Sequence, residues 1–169
     1  MGASIQRLLA ENLQPAPGRR GWHGGPTPTG ALRGVPADQA SWRPGASRKC
    51  IWELALHIAY WKYAVRRRLE GVQSGKREER FSRSPSNWPS IPGAPDAAVW
   101  AADVQLLRDE HTRLVETVRR IPPAWLARKP PGGRQWTYGE LVVGIAQHDA
   151  YHTGQIQLVK RLWHERGGR

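Results

Sequence analysis

The chain lacks the features that stabilise secreted domains or hold a protein in a membrane. Cys50 is the only cysteine, so no disulfide can form within the chain, and one free thiol suits a reducing cytosol. No run of roughly 18 consecutive apolar residues occurs, and the first residues show no apolar run followed by a small-residue cleavage site. We therefore expect a cytoplasmic protein with neither a signal peptide nor a transmembrane helix.

Acidic residues are scarce relative to basic ones. The chain has 26 Lys and Arg residues against 14 Asp and Glu, which gives a formal net charge of +12. A charge of this sign suits nucleic acid or another anionic surface. The basic residues are dispersed in short runs such as "RRR" at 66–68, however, and they form neither a basic tail nor a nucleic-acid-binding motif. A basic nucleic-acid-binding bundle is therefore a third hypothesis only, and we do not expect DNA or RNA as partners.

Phenylalanine is almost absent, because Phe81 is the only one, whereas there are nine tryptophans. Tryptophan must then supply most of the aromatic packing. For each candidate pocket residue the alternative is ordinary core packing, which is favoured for Trp61 because it lies on the inner face of its predicted helix. The tryptophans considered as walls of an apolar pocket are Trp22, Trp52, Trp61 and Trp88.

Apolar periodicity predicts four helices and no strands within a single domain over 1–169, a length that can bury its own core. The predicted spans are about 3–12, 48–70, 97–121 and from 138 onward. This pattern predicts an all-α fold, an antiparallel four-helix bundle with long connecting loops rich in proline and glycine. The segment 71–95 is the longest of these, and it could close over a site as a lid.

The predicted helix boundaries rest on capping residues. Ser47 is a plausible N-cap of the second helix, and Gly71 a plausible residue just beyond its end. Asp96 is expected to cap the third helix, while "TYGE" at 137–140 is a capping box for the fourth.

Histidines interrupt the apolar faces of three predicted helices. A single buried histidine is usually hydrogen-bonded to a neighbour, but here several lie on faces that converge. His148 and His152 are four residues apart and therefore share one helical face. With a histidine from a facing helix they would offer three imidazoles to a divalent metal; otherwise they are polar residues on a wet face. The other two inward histidines are His57 and His111.

A family resemblance is carried by two segments, "IWELALHIAYW" (51–61) and "GIAQHDAYHTGQIQLVKR" (144–161), and more loosely by a third, "GWHGG" (21–25). They resemble the DinB-like superfamily of small metal-binding helical bundles. The resemblance implies an up-down-down-up four-helix bundle with a divalent metal ion, most often zinc or nickel, with iron or manganese as further options. Carried over by position, it implies His57, His148 and His152 as metal ligands.

Each of four further residues has two alternative interpretations. Gln155 either hydrogen-bonds a ligand or substrate, or makes an ordinary contact between helices. Asp149 either orients an imidazole from behind or is a surface acid. His111 is either a proton shuttle or a core residue, and His23 either reaches the metal cavity from its glycine-rich loop or is exposed in a turn. Asp149, His111 and His23 are also the candidates for a general base, together with the 71–95 loop.

Characterised relatives in the superfamily include thiol-dependent transferases and isomerases that use bacillithiol or mycothiol, and some hydrolases. The resemblance therefore implies a metal-dependent hydrolase or thiol S-transferase acting on a small molecule, with a low-molecular-weight thiol as one candidate partner. The alternative is a metal-stabilised bundle that binds a small molecule or a partner without turnover. A homodimer is also an option, because the apolar stripe of the short first helix could be shared between two chains.

Overall fold

The computed structural model describes residues 4–19, 21, 23–71, 80–83, 86–133 and 135–166. Within these ranges the chain forms α-helices and one short 3-10 helix, Pro123–Trp125, and no strand. The all-α prediction is therefore confirmed. The helices are α1 (Ile5–Leu13), α2 (Pro28–Ala31), α3 (Ala37–Ser41), α4 (Ile51–Leu69), α5 (Ala97–Arg120) and α6 (Tyr138–Glu165).

Helices α4 and α5 run in the same direction, and α6 runs opposite to both. The first halves of α4 and α5 share one apolar cluster, which also contains Ile156 and Val159 near the end of α6. The second halves of α4 and α5 share another cluster, which contains Tyr138 and Leu141 at the start of α6. The antiparallel expectation is thus wrong for α4 and α5, because the long connection between them returns the chain to the same end of the bundle. The down-down-up order implied for the last three helices is what the structure has.

The start of α4 differs from the prediction. Cys50, not Ser47, is the N-cap, and the helix begins at Ile51, three residues after its predicted start. The carboxylate of Glu53 accepts a hydrogen bond of 3.1 Å from the backbone N–H of Cys50 and is itself paired with Arg43 and Lys49. A side chain inside the first turn therefore supplies the cap, so that Ser47 is not needed for it.

The other predicted caps are confirmed. The Asp96 carboxylate accepts hydrogen bonds of 2.9 and 3.0 Å from the first backbone N–H groups of α5. Thr137 and Glu140 form the expected capping box at the start of α6. Gly71 follows the end of α4 with φ of +70°, a conformation that side-chain-bearing residues rarely adopt. These three positions could be predicted because a cap depends on only a few neighbouring residues.

Helix α1 is only partly packed. Leu13 is buried, whereas Ile5 and Leu8 are 57% and 55% exposed. The predicted apolar stripe therefore exists, but half of it contacts solvent, and its use in a homodimer stays a prediction. Cys50 lies in the core, where burial raises the pKa of its thiol to about 11. Among the described helices none has the length and apolar character needed to cross a membrane.

Candidate metal centre

Three histidines converge between α4 and α6. His57 comes from the middle of α4, and His148 and His152 come from successive turns of α6. One nitrogen from each can be chosen so that all three lie within 4.8 Å of one another. The Nε2 atoms of His57 and His148 are 3.3 Å apart. The i, i+4 spacing on α6 therefore does bring its two imidazoles to a histidine of a facing helix.

Hydrogen bonds on the far side of two rings set their tautomers. The Nδ1 atom of His57 lies 2.7 Å from the carbonyl oxygen of Asn87, and Nδ1 of His152 lies 2.6 Å from Oε1 of Gln155. A carbonyl oxygen only accepts, so both Nδ1 atoms carry the proton. The Nε2 atom of each ring then has a free lone pair, which is the donor that a divalent metal requires.

The environment also keeps these imidazoles neutral. Burial lowers the pKa of His57 and of His152 below the ordinary histidine value. Burial, reinforced by the two neighbouring histidines, lowers the pKa of His148 to about 3. All three rings are therefore uncharged at neutral pH. This is the protonation state in which histidine binds a metal.

Two tryptophan rings cover the histidines, one from the long connection between α4 and α5 and one from α4 itself. The ring of Trp88 stacks on His57, with centroids 3.8 Å apart and planes 10° from parallel. Trp61 approaches His57 and His148 with centroids 6.3 and 6.0 Å away. Asn87 and Trp88 thus place part of the 71–95 segment at the site. Residues 72–79 and 84–85 of the suggested lid lie outside the described residues.

The remaining candidate tryptophans do not share this position. Trp52 is fully buried in the core, where it packs against Trp100 and donates a hydrogen bond of 2.8 Å to Asp103. Its role as a pocket wall is therefore wrong, and the core-packing alternative holds. Trp22 lies outside the described residues.

Two cations flank the aromatic cover. The Lys49 ammonium lies 4.7 Å from the centroid of the Trp88 ring, and the Arg68 guanidinium lies 5.9 Å from that of Trp61. Both are carried by exposed or partly exposed side chains around the histidines. Lys49 also forms an ion pair of 3.1 Å with Glu53. The two cations therefore lie beside the tryptophans that cover the histidines.

Asp149 is not a surface acid. Its side chain is buried and forms an ion pair with Lys62, a fully buried residue of α4. Burial raises the pKa of Asp149, while the adjacent Lys62 ammonium opposes this shift. Lys62 was not among the predicted site residues, because a lysine on a helix is almost always solvated and nothing in the spacing marks it as buried.

The other two general-base candidates lie apart from the cluster. His111 is buried, and its Nε2 atom is 2.6 Å from Oε1 of Gln14, at the end of α1. Burial lowers the pKa of His111 to about 3. His23 is exposed and lines a different cavity, between α1 and α6. Neither residue belongs to the set of converging histidines.

The donor chemistry suits a divalent ion, and one of the three nitrogen separations already has the value expected for a metal site. Imidazole nitrogens bind zinc at roughly 2.0–2.1 Å, so two of them in a tetrahedral site lie about 3.3 Å apart. The Nε2 atoms of His57 and His148 have this separation. The molecule is thus an all-α bundle in which three neutral histidines could hold a metal ion.

The sequence profile of the DinB superfamily matches residues 29–156, and the chain belongs to this superfamily. The match includes all three histidines of the cluster. No curated protein and no solved structure matches the chain.

Proposed function

We propose that this protein is a metal-dependent enzyme whose divalent ion, zinc or nickel, is held by His57, His148 and His152. The observation that carries the proposal is the pair of Nε2 lone pairs, on His57 and His152, fixed by hydrogen bonds to Asn87 and Gln155. Three protein ligands leave room for a further ligand at the ion, which is typical of catalytic rather than structural sites.

A thiol-dependent transfer agrees best with the surroundings of the histidines. A divalent ion bound here would act as a Lewis acid: it would lower the pKa of a thiol that coordinates it, and the thiol proton would pass to solvent water. Such a reaction needs no separate protein base. In the described part of the chain, Asp149 is ion-paired with the buried Lys62, and the two candidate histidines, His111 and His23, lie outside the histidine cluster.

The neighbouring side chains would bind and orient the substrate. Trp88 and Trp61 exclude water from one side of the histidines and present an apolar surface to the substrate. Lys49 and Arg68 would attract an anion, such as a low-molecular-weight thiol that carries carboxylates. Gln155 would act as a positioning residue, because its contact orients the His152 ring.

Hydrolysis is the second candidate reaction, since a bound metal can also activate water. The non-catalytic alternative, a metal-stabilised bundle that binds a small molecule, has the same three ligands but predicts no turnover. An enzyme would convert a thiol or an ester once the metal is present, whereas a non-catalytic binding protein would leave both unchanged.

The test compares metal-free protein with protein reloaded with zinc or nickel. Consumption of bacillithiol, mycothiol or cysteine with a chlorodinitrobenzene would be measured together with hydrolysis of a nitrophenyl ester. We expect metal-dependent consumption of thiol that His152→Ala abolishes and His111→Ala retains. Thiol binding would be followed separately from turnover by thiolate-to-nickel absorption. If reloaded protein neither binds thiols nor turns over either substrate above the metal-free level, the non-catalytic alternative replaces this proposal.

A further inference from the structure

The connector 121–137, between α5 and α6, covers one end of the bundle. The second halves of α4 and α5 and the start of α6 share an apolar cluster at this end. The Arg128 carbonyl accepts a hydrogen bond of 2.8 Å from the N–H of Tyr138, which holds the connector against α6. A Cβ atom on Gly71, just past α4, would lie 3.4 Å from Pro131, so the connector also meets the end of α4. We name this region the connector end: it consists of the last turn of α5 and residues 121–137.

Two tryptophans of the connector end contact solvent. Trp125 is 42% exposed and Trp136 is 50% exposed, and every other tryptophan that the structure describes is less exposed than either. The Trp125 ring packs against the buried Tyr138, with centroids 5.8 Å apart, which fixes its position. Tryptophan is largely buried in most folded domains, so two exposed indole rings in one connector indicate a surface that a partner covers.

Exposed arginines lie beside these tryptophans. Arg119 and Arg120 end α5, just before the connector, and Arg128 lies within it. In the part of the chain that the structure describes, none of the three guanidinium groups forms a hydrogen bond or an ion pair. Their donors therefore remain available to a partner with anionic oxygen atoms.

Acidic residues balance only part of this charge. Glu140 accepts hydrogen bonds from Thr137, which lower its pKa, and the charge of Lys129 adds to this shift. Glu116 is the other exposed acid within 113–140. If Lys129 is set against Glu140, the three arginines outnumber the Glu116 carboxylate. The connector end therefore combines a net positive charge with exposed indole rings.

This combination favours a partner that has phosphate groups beside an apolar layer. Guanidinium groups bind phosphate well, and an indole ring, with its apolar body and polar N–H, suits the boundary between headgroups and acyl chains of a bilayer. Single-stranded nucleic acid also offers phosphates and stacking surfaces, but its binding sites follow the strand as a groove. Here the cations and the rings lie together at one end of a bundle, which a flat surface can contact.

We propose that the connector end binds the surface of an anionic phospholipid bilayer. The indole rings of Trp125 and Trp136 enter the headgroup layer, and the three arginines contact lipid phosphates. The clustered histidines lie outside the connector end. Binding therefore depends neither on the metal nor on the reaction proposed above.

Vesicle co-sedimentation tests the class of partner. Full-length protein is mixed with vesicles of phosphatidylcholine alone, or of phosphatidylcholine and phosphatidylglycerol in equal amounts. We expect binding to the anionic vesicles that weakens as salt is added, and at least several-fold weaker binding to phosphatidylcholine alone. No binding to the anionic vesicles at low salt, or equal binding to both kinds, would overturn the proposal. Binding to an oligothymidylate without binding to vesicles would also overturn it and assign the surface to nucleic acid.

Removal of the arginine charges locates the surface. Arg119→Gln/Arg120→Gln/Arg128→Gln should weaken binding to the anionic vesicles by about 100-fold, because each basic residue near such a surface contributes about fivefold to the affinity. All three positions are exposed, and circular dichroism checks that the variant stays folded. Unchanged binding in the folded variant would overturn the proposal.

The matched control removes the same charge at the opposite end of the bundle, where α4 begins and α6 ends. Arg33→Gln/Arg48→Gln/Arg161→Gln changes three exposed arginines there, and its affinity should fall less than about fivefold because salt screens distant charges. Equal losses in the two triple variants would mean that binding follows net charge alone, which would overturn the assignment to the connector end.

A single substitution tests the contact of the indole ring with the bilayer. Trp136→Ser should weaken binding to the anionic vesicles several-fold. Leu158→Ser removes a side chain of α6 that is 55% exposed, and it should bind as the wild type does. Equal affinities in the two variants would overturn the contact between Trp136 and the bilayer.

Discussion

His111 and His148 are alike when each is considered alone, yet they belong to different kinds of region. His111 is buried and His148 is half-buried, and burial lowers the pKa of each to about 3. His111 bonds one amide, that of Gln14, and no other histidine approaches it among the described residues. His148 stands beside His57 and His152. Burial and a lowered pKa therefore do not distinguish the two residues, whereas the convergence of three imidazoles within 4.8 Å does.

The Lys62 ammonium contributes to the lowered pKa of both His111 and His148, and breaking its buried ion pair with Asp149 should have the largest effect. Lys62→Met leaves the Asp149 carboxylate buried without its cation, which should lower the free energy of unfolding by about 3–5 kcal/mol. Urea denaturation of metal-free protein would measure it. Lys160→Met, which removes a half-buried lysine that donates a hydrogen bond to the Ala31 carbonyl, should cost less than about 1.5 kcal/mol. Similar losses in the two variants would mean that the buried ion pair contributes no more to the free energy of unfolding than a single hydrogen bond.

Replacing His152 and replacing His111 should have different effects on the zinc affinity. His152→Ala deletes a proposed ligand and should weaken zinc binding by about 100-fold or more, with little loss of helix content because the bundle keeps its apolar core. His111→Ala should change zinc affinity less than about twofold. Competition against a chromophoric chelator gives both constants. Comparable losses in the two variants would erase the distinction between the regions.

The stability of the metal-free protein should depend on pH through His111. Its pKa is about 3 when folded and 6.5 when unfolded, so below about pH 6.5 only the unfolded form takes up the proton. The free energy of unfolding should therefore fall as the pH falls, by about 2 kcal/mol between pH 7 and 5 from this residue. His111→Gln should remove that part of the decrease, whereas His164→Gln, at the exposed end of α6, should not. Equal pH dependence in the wild type and His111→Gln would contradict the assignment.

Gln155 should give the smallest of these effects. Gln155→Leu leaves all three histidines in place but removes the oxygen that orients the His152 ring. We expect zinc affinity to fall about tenfold, which is the usual order for loss of a hydrogen bond to a metal-binding histidine. Gln155→Glu keeps an acceptor and should largely restore it. If neither substitution changes the affinity, the contact is an ordinary one between helices.

The sequence predicts the local parts of this molecule well. Asp96, Thr137 and Glu140 mark helix starts because a cap involves residues only a few positions apart. The facing positions of His148 and His152 follow from the helical repeat alone. The family resemblance adds His57 as the third member of the cluster.

Long-range contacts could not be predicted in the same way. Trp88 stacks on the His57 ring, but it lies in a segment without apolar periodicity. The sequence therefore does not indicate which residues its ring contacts. Lys62 can be buried because it forms an ion pair with Asp149, which lies far away in the sequence. The start of α4 at Cys50 likewise depends on Arg43, outside the helix, which holds the Glu53 side chain.

We propose that His57, His148 and His152 form one metal site, and the metal content of the purified protein shows whether they do. Elemental mass spectrometry would be applied to protein purified without chelators or a histidine tag, for the wild type, His148→Ala/His152→Ala and His111→Ala. We expect close to one zinc or nickel ion per chain in the wild type and in His111→Ala, and almost none in the double variant. A wild-type protein that is empty and takes up no added zinc or nickel would contradict it, as would a double variant that keeps its metal.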